Sequence, residues 1–121
     1  MNYQELIEKI VEKGIKAAKR DYTQKDQKSI LKGSIAGFKA CLGKTITELS
    51  DLLEKAQKDS YLGDHKNIDE HWYKRGYSLE IEWVCNVVSV VLYNEGLPVI
   101  INPTARGAIT ASDIVGVNSL P

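Results

Sequence analysis

Residues 81–92 read IEWVCNVVSVVL, an apolar run that suits a buried strand and a buried helix equally. The polar positions around it decide. At 3.6 residues per turn, Arg75, Ser78, Glu82, Asn86, Ser89 and Tyr93 fall within an arc of roughly 80°. In a strand their mixed odd and even numbers would scatter them over both faces. The pattern predicts one long helix over about residues 67–96, apolar on most sides and therefore central to the fold. Asn67 with Glu70 three residues on signals its start, and Gly96 followed by Pro98 its end. The polar stripe runs about 27 Å and needs partners, because a buried polar group left unpaired costs about 1–3 kcal/mol. Neighbouring helices, a second subunit, water or a ligand would each supply them.

Leu6, Ile7, Ile10, Val11, Ile15 and Ala18 repeat at three and four, predicting a first amphipathic helix to about Lys19, opened by Asn2 with Glu5. Over about residues 24–58, Leu31, Ile35, Phe38, Leu42, Leu49, Leu52 and Ala56 keep close to a seven-residue repeat. A second long helix packed lengthwise on the central one is expected, with Thr23 as its N-cap. Gly33 and Gly37 each cost roughly 1 kcal/mol inside a helix, which close approach of a neighbouring helix or subunit would explain. Residues 59–69 form a polar connector. Beyond Gly96, residues 97–101 with Pro98 near their start read as an edge strand, and residues 114–117 as a second strand able to pair with it. Residues 104–112 between them read as either a turn of helix or an open loop. The expected fold class is α+β, mostly helical: two long packed helices, a shorter N-terminal helix and a small C-terminal two-stranded β element, in one domain over residues 1–121.

Charge narrows the function. Lys plus Arg and Asp plus Glu each number 16, so the formal net charge is zero, against the basic surplus of proteins that grip polymeric nucleic acid. A small anion needs only two or three local cations. Cys41 and Cys85 lie in apolar helical patterns without metal-ligand spacing, as reduced core thiols of a cytosolic protein do. No signal peptide or bilayer-length apolar run is read, and a soluble cytoplasmic protein is expected. His65 and His71 lack zinc-site spacing and are expected in solvent. Gly43-Lys44-Thr45 imitates the end of a phosphate-binding loop, but Gly37 is one residue too far upstream and no strand precedes it; a helix contact or kink explains the glycine.

The tail carries the densest polar chemistry. Thr104, Thr110 and Ser112 offer hydroxyls, Gly107 allows close backbone approach, and Arg106 presents a planar fork suited to phosphate or, alternatively, to a surface carboxylate.

Arg75-Gly76-Tyr77, then Glu80-Ile81-Glu82-Trp83-Val84-Cys85-Asn86, then Pro103-Thr104-Ala105-Arg106-Gly107 together resemble the phage Thoeris anti-defence proteins of the first type. The resemblance implies a small α+β protein of the host bacterial cytoplasm that sequesters a cyclic ADP-ribose isomer made by TIR-domain enzymes, without hydrolysing it, and so blocks antiphage defence. It implies dimers assembled into hexamers with ligand in recessed pockets at subunit contacts, and, for some members, cyclic oligonucleotides at a separate site. Such a ligand carries an adenine, two riboses and a diphosphate. Tyr77, Trp83 and Tyr93 are then the expected stacking residues, Asn86 and Asn102 readers of sugar or base edges, and Arg106 with Thr104 the phosphate holder. No catalytic residue, metal or cofactor is expected.

Two other classes stay open. One is a structural or protein-binding helical oligomer. The other is a magnesium-dependent all-α nucleotide pyrophosphohydrolase, since Glu5-x-x-Glu8 and Glu48-x-x-Asp51 each set two carboxylates on one helix face.

Overall fold

The computed structural model describes residues 2–115, and among these its regular elements are all helices, with no strand. The helices are α1 (Tyr3–Asp21), α2 (Lys28–Ala40), preceded by a 3₁₀ turn at Lys25–Gln27, α3 (Ile46–Leu62), α4 (Ile68–Asn94) and α5 (Ala105–Val115). The expected α+β class is corrected to all-α.

α4 is the axis, and α1, α2, α3 and α5 all pack on it. Its ends follow from sequence. Asn67 Oδ1 accepts from the Glu70 N–H at 2.9 Å, while the Glu70 carboxylate takes the Lys66 N–H at 2.6 Å. At the other end Gly96 adopts φ +74°, a left-handed conformation that costs glycine nothing. The Gly96 and Leu97 N–H groups then return to the Tyr93 and Leu92 carbonyls, which closes the helix. Ile81, Val84, Cys85, Val87 and Val88 are wholly buried. Four helices of the same chain cover this girth.

The predicted second helix breaks in two. Gly43 takes φ +72°, and Thr45 opens a new helix: its Oγ1 accepts from the Glu48 N–H at 3.1 Å, while the Glu48 carboxylate accepts from the Thr45 N–H at 3.1 Å. The phosphate-loop mimic is thus a turn and a cap. Gly33 and Gly37 serve close approach as expected, and the neighbour is α4 itself: a Cβ would lie 2.0 Å from the Tyr73 carbonyl at Gly33 and 2.5 Å from that of Tyr77 at Gly37. Gly76 returns the contact, with the Ile30 carbonyl 2.5 Å from where its Cβ would be. At the first helix, Asn2 caps Gln4 rather than pairing with Glu5, and Gln24, not Thr23, caps the segment before α2.

The β element is replaced by helix and by a connector tied to α4. Ser89 Oγ accepts from the Ile100 and Ile101 N–H groups at 3.1 and 3.2 Å, occupying donors that a strand would give to a ladder. Ile114 and Val115 of the second expected strand belong to α5; residues 116 and 117 lie outside those described. Cys41 and Cys85 are free and buried, and burial pushes both thiols up to about 12. His65 and His71 are half-buried, edge to face at 5.1 Å. No helix among the described residues is long and apolar enough to cross a membrane.

Candidate functional site

The cleft that gathers the tail chemistry lies between α1, α2, α4 and α5. It exists because α1 turns small side chains to it: Gly14, Ala17 and Ala18 leave room that larger residues would fill, and Asp21 and Tyr22 close one end. Phe38 of α2 forms the floor and is the reason residue 14 is glycine, since a Cβ there would sit 2.2 Å from its ring. Leu79, Glu80 and Trp83 line the α4 side, one face at spacings of three and four. Arg106 and Thr110 line the α5 side. The volume, about 350 Å³, falls within the range of small-molecule sites.

Its chemistry is mixed. Trp83 is half-buried with its ring edge-on to Phe38, centroids 5.6 Å apart and planes at 85°, which fixes the indole as a rigid wall. Arg106 is exposed at the mouth. Burial pushes the Glu80 carboxyl up to about 7, with the Arg106 charge pulling the other way. Burial also raises the Tyr22 hydroxyl, reinforced by the charges of Glu80 and Asp21 and opposed by Arg106. Acid, phenol and guanidinium therefore face one shared space. Among the described residues neither Glu80 nor Arg106 closes an ion pair within 4.0 Å.

Arg106 is placed by a relay from α4. Asn86 Nδ2 donates to Thr104 Oγ1 at 2.9 Å, and its Oδ1 accepts from the Thr104 N–H at 3.2 Å. Thr104 Oγ1 in turn accepts from the Gly107 N–H at 3.3 Å, capping the first turn of α5. Gly107 is required, since a Cβ would approach Asn86 Oδ1 to 2.4 Å.

Of the residues singled out in the sequence, Trp83, Arg106 and Thr110 line this cleft, and Thr110 donates its hydroxyl to the Arg106 carbonyl at 3.1 Å. Asn86 and Thr104 sit beside it, engaged with each other. Tyr77 is half-buried on the side of α4 that meets α2, outside the lining; Tyr93 and Asn102 are exposed, also outside it. The polar stripe finds much of its pairing within the chain: Ser78 Oγ donates to the Arg75 carbonyl at 3.2 Å, and Arg75 donates to the Tyr61 hydroxyl and lies over its ring. Glu80 and Tyr22 were missed as site residues. The small-residue spacing of Gly14, Ala17 and Ala18 ahead of Tyr22 is the signal that could have revealed that wall.

Other depressions carry different chemistry, and one of about 470 Å³ between the segment before α2 and the start of α4 is lined by Tyr22, Asp26, Ile30, Ile68, Asp69 and Trp72. Another of about 470 Å³ over α3 is lined by Lys44, Leu52, the carboxylates of Glu48, Asp51 and Glu54, and lysines further along the same helix, a single wall. Glu48 there is tied into its cap, and among the described residues no three His, Cys, Asp or Glu side chains gather as a metal site. The two carboxylate pairs of the magnesium reading therefore do not converge into such a site. Comparison of the chain with protein-family models, curated proteins and solved structures returns no match.

Proposed function

We propose that the protein binds and retains a small cyclic nucleotide of the ADP-ribose class without hydrolysing it, withholding the signal of a TIR-dependent antiphage defence. The observation that carries the reading is an arginine that closes no ion pair among the described residues, lining one cleft together with a rigid tryptophan wall. Arg106 offers a fork for a diphosphate, Trp83 a surface for adenine, and Tyr22 a hydroxyl for ribose. The Thoeris resemblance supplies the ligand class, and the subunit contacts it implies would cover the open mouth of the cleft in a homo-oligomer.

Titration calorimetry with a ribose-to-ribose-linked cyclic ADP-ribose tests the site. Arg106→Ala removes a charge-assisted contact worth about 1.5–3 kcal/mol, so affinity should drop by roughly one to two decades with thermal stability preserved. An Arg106→Ala protein that binds as tightly as wild type contradicts the placement.

A second reading, a protein-binding helical module, is favoured by the exposed Ile68, Trp72 and Tyr73 at the start of α4. It predicts no nucleotide binding and assembly lost on Trp72→Ala, as measured by light scattering.

A further inference from the structure

A carboxylate opposite a guanidinium in a half-buried cleft ordinarily closes into a forked ion pair. Glu80 of α4 and Arg106 of α5 both line the cleft, near enough for the Arg106 charge to act on Glu80, and among the described residues they do not close one. The space between them is where an anionic group attracted by Arg106 would lie, with the Glu80 carboxyl on its far side. An ionised carboxylate there would repel that group; a protonated one would donate to it.

We propose that Glu80 grips the same anionic group as Arg106, as a neutral carboxylic acid donating its O–H, and thereby sets which ligands the cleft holds. The inference rests on the nucleotide-binding reading above. Each element around Glu80 agrees with it. α1 contributes Asp21, whose charge is taken up by Arg20 at 3.2 Å, and its C-cap Tyr22 a hydroxyl; α2 contributes the apolar Phe38; α4 itself adds Leu79 and Trp83; α5 adds Arg106, the cation of the lining, and Thr110. Burial already holds Glu80 at about 7 against the pull of Arg106. A bound anion would cancel that pull and add its own charge, so Glu80 takes a proton from solvent as the ligand enters. Groups that cannot accept a hydrogen bond from an acid, or that carry their own positive charge, are disfavoured at this position.

The test uses the same ribose-to-ribose-linked cyclic ADP-ribose, whose diphosphate stays fully ionised and whose adenine stays neutral near neutral pH. Wild-type affinity should fall roughly tenfold from about pH 6 to about pH 8, and Glu80→Gln, a neutral donor at every pH, should flatten that slope. Calorimetry of the wild type in two buffers of different ionisation heat should show uptake approaching one proton at the upper end, a readout independent of the variant's folding. Binding that is flat or strengthens with pH, no proton uptake, or a Glu80→Gln protein keeping the wild-type slope overturns the inference and leaves the nucleotide-binding reading standing. Failure to bind at every pH overturns both.

Discussion

Asn86 meets Thr104 through two hydrogen bonds, giving one to its hydroxyl at 2.9 Å and accepting one from its backbone N–H at 3.2 Å. The pair joins the central helix to the start of α5, two residues before Arg106. A residue expected to read a ligand's edge therefore holds the cationic wall in place. Asn86→Ala should cost about 0.5–1.5 kcal/mol, because both lost bonds lie where water can replace them. Hydrogen exchange should show protection lost across residues 105–115 while α4 keeps its own. Uniform loss over the whole chain would contradict this local role.

The α2–α4 crossing tolerates no added atom at its glycines. With a carbonyl of α4 only 2.0 Å from where the Cβ of residue 33 would stand, Gly33→Ala must push two helix backbones apart. Urea titration should show a loss of at least about 3 kcal/mol, at the upper end of overpacking. Ser50→Ala, on the exposed side of α3, should change stability by no more than about 0.5 kcal/mol.

Thr45 and Glu48 close the box that starts α3. Thr45→Ala should lower stability by about 1 kcal/mol. Glu48→Gln weakens the same box and should leave nucleotides as intact as wild type does, with or without magnesium. Magnesium-dependent pyrophosphate release by the wild type, abolished in Glu48→Gln, would restore the hydrolase reading.

The Glu80 carboxyl also sets a pH dependence of folding. Its folded pKa is raised, from 4.5 to about 7, because burial disfavours the charge. The stability it contributes is fully present below about 4.5 and is lost as pH rises through about 7. Thermal melts of the ligand-free protein should show wild type losing stability between these limits and Glu80→Gln losing less. Equal losses in both proteins would count against a buried, ionisable Glu80.

α4 was legible because its polar residues recur at a helical period within an otherwise uniform apolar run, and periodicity survives whatever the helix packs against. Gly33 and Gly37 likewise announced a close crossing, though not which helix would make it. The break between α2 and α3 was masked by a seven-residue repeat that carried across it, even though Thr45 and Glu48 stand at capping-box spacing. Residues 97–101 and 114–117 look like strands by residue type. Ser89, a side chain on another element, takes the N–H groups of the first run, and the cap at Thr104 starts a helix that absorbs Ile114 and Val115 of the second. Within the site, Trp83 and Arg106 stood out as large or charged residues in quiet surroundings. Tyr22 and Glu80 did not, because what distinguishes them is partial burial in one cleft between α1 and α4, a property of packing that no local pattern carries.

The central claim is that the cleft holds its nucleotide rather than transforming it. The protein would be mixed with the product of a TIR enzyme, freed of unbound small molecules and heat-denatured, and the released material analysed by mass spectrometry. Retention arises from enclosing the ligand and not from lowering a reaction barrier, so the intact cyclic nucleotide should emerge in near-stoichiometric amount from wild type and be depleted with Arg106→Ala. A hydrolysed or opened product, or no nucleotide released from wild type at all, would contradict the account.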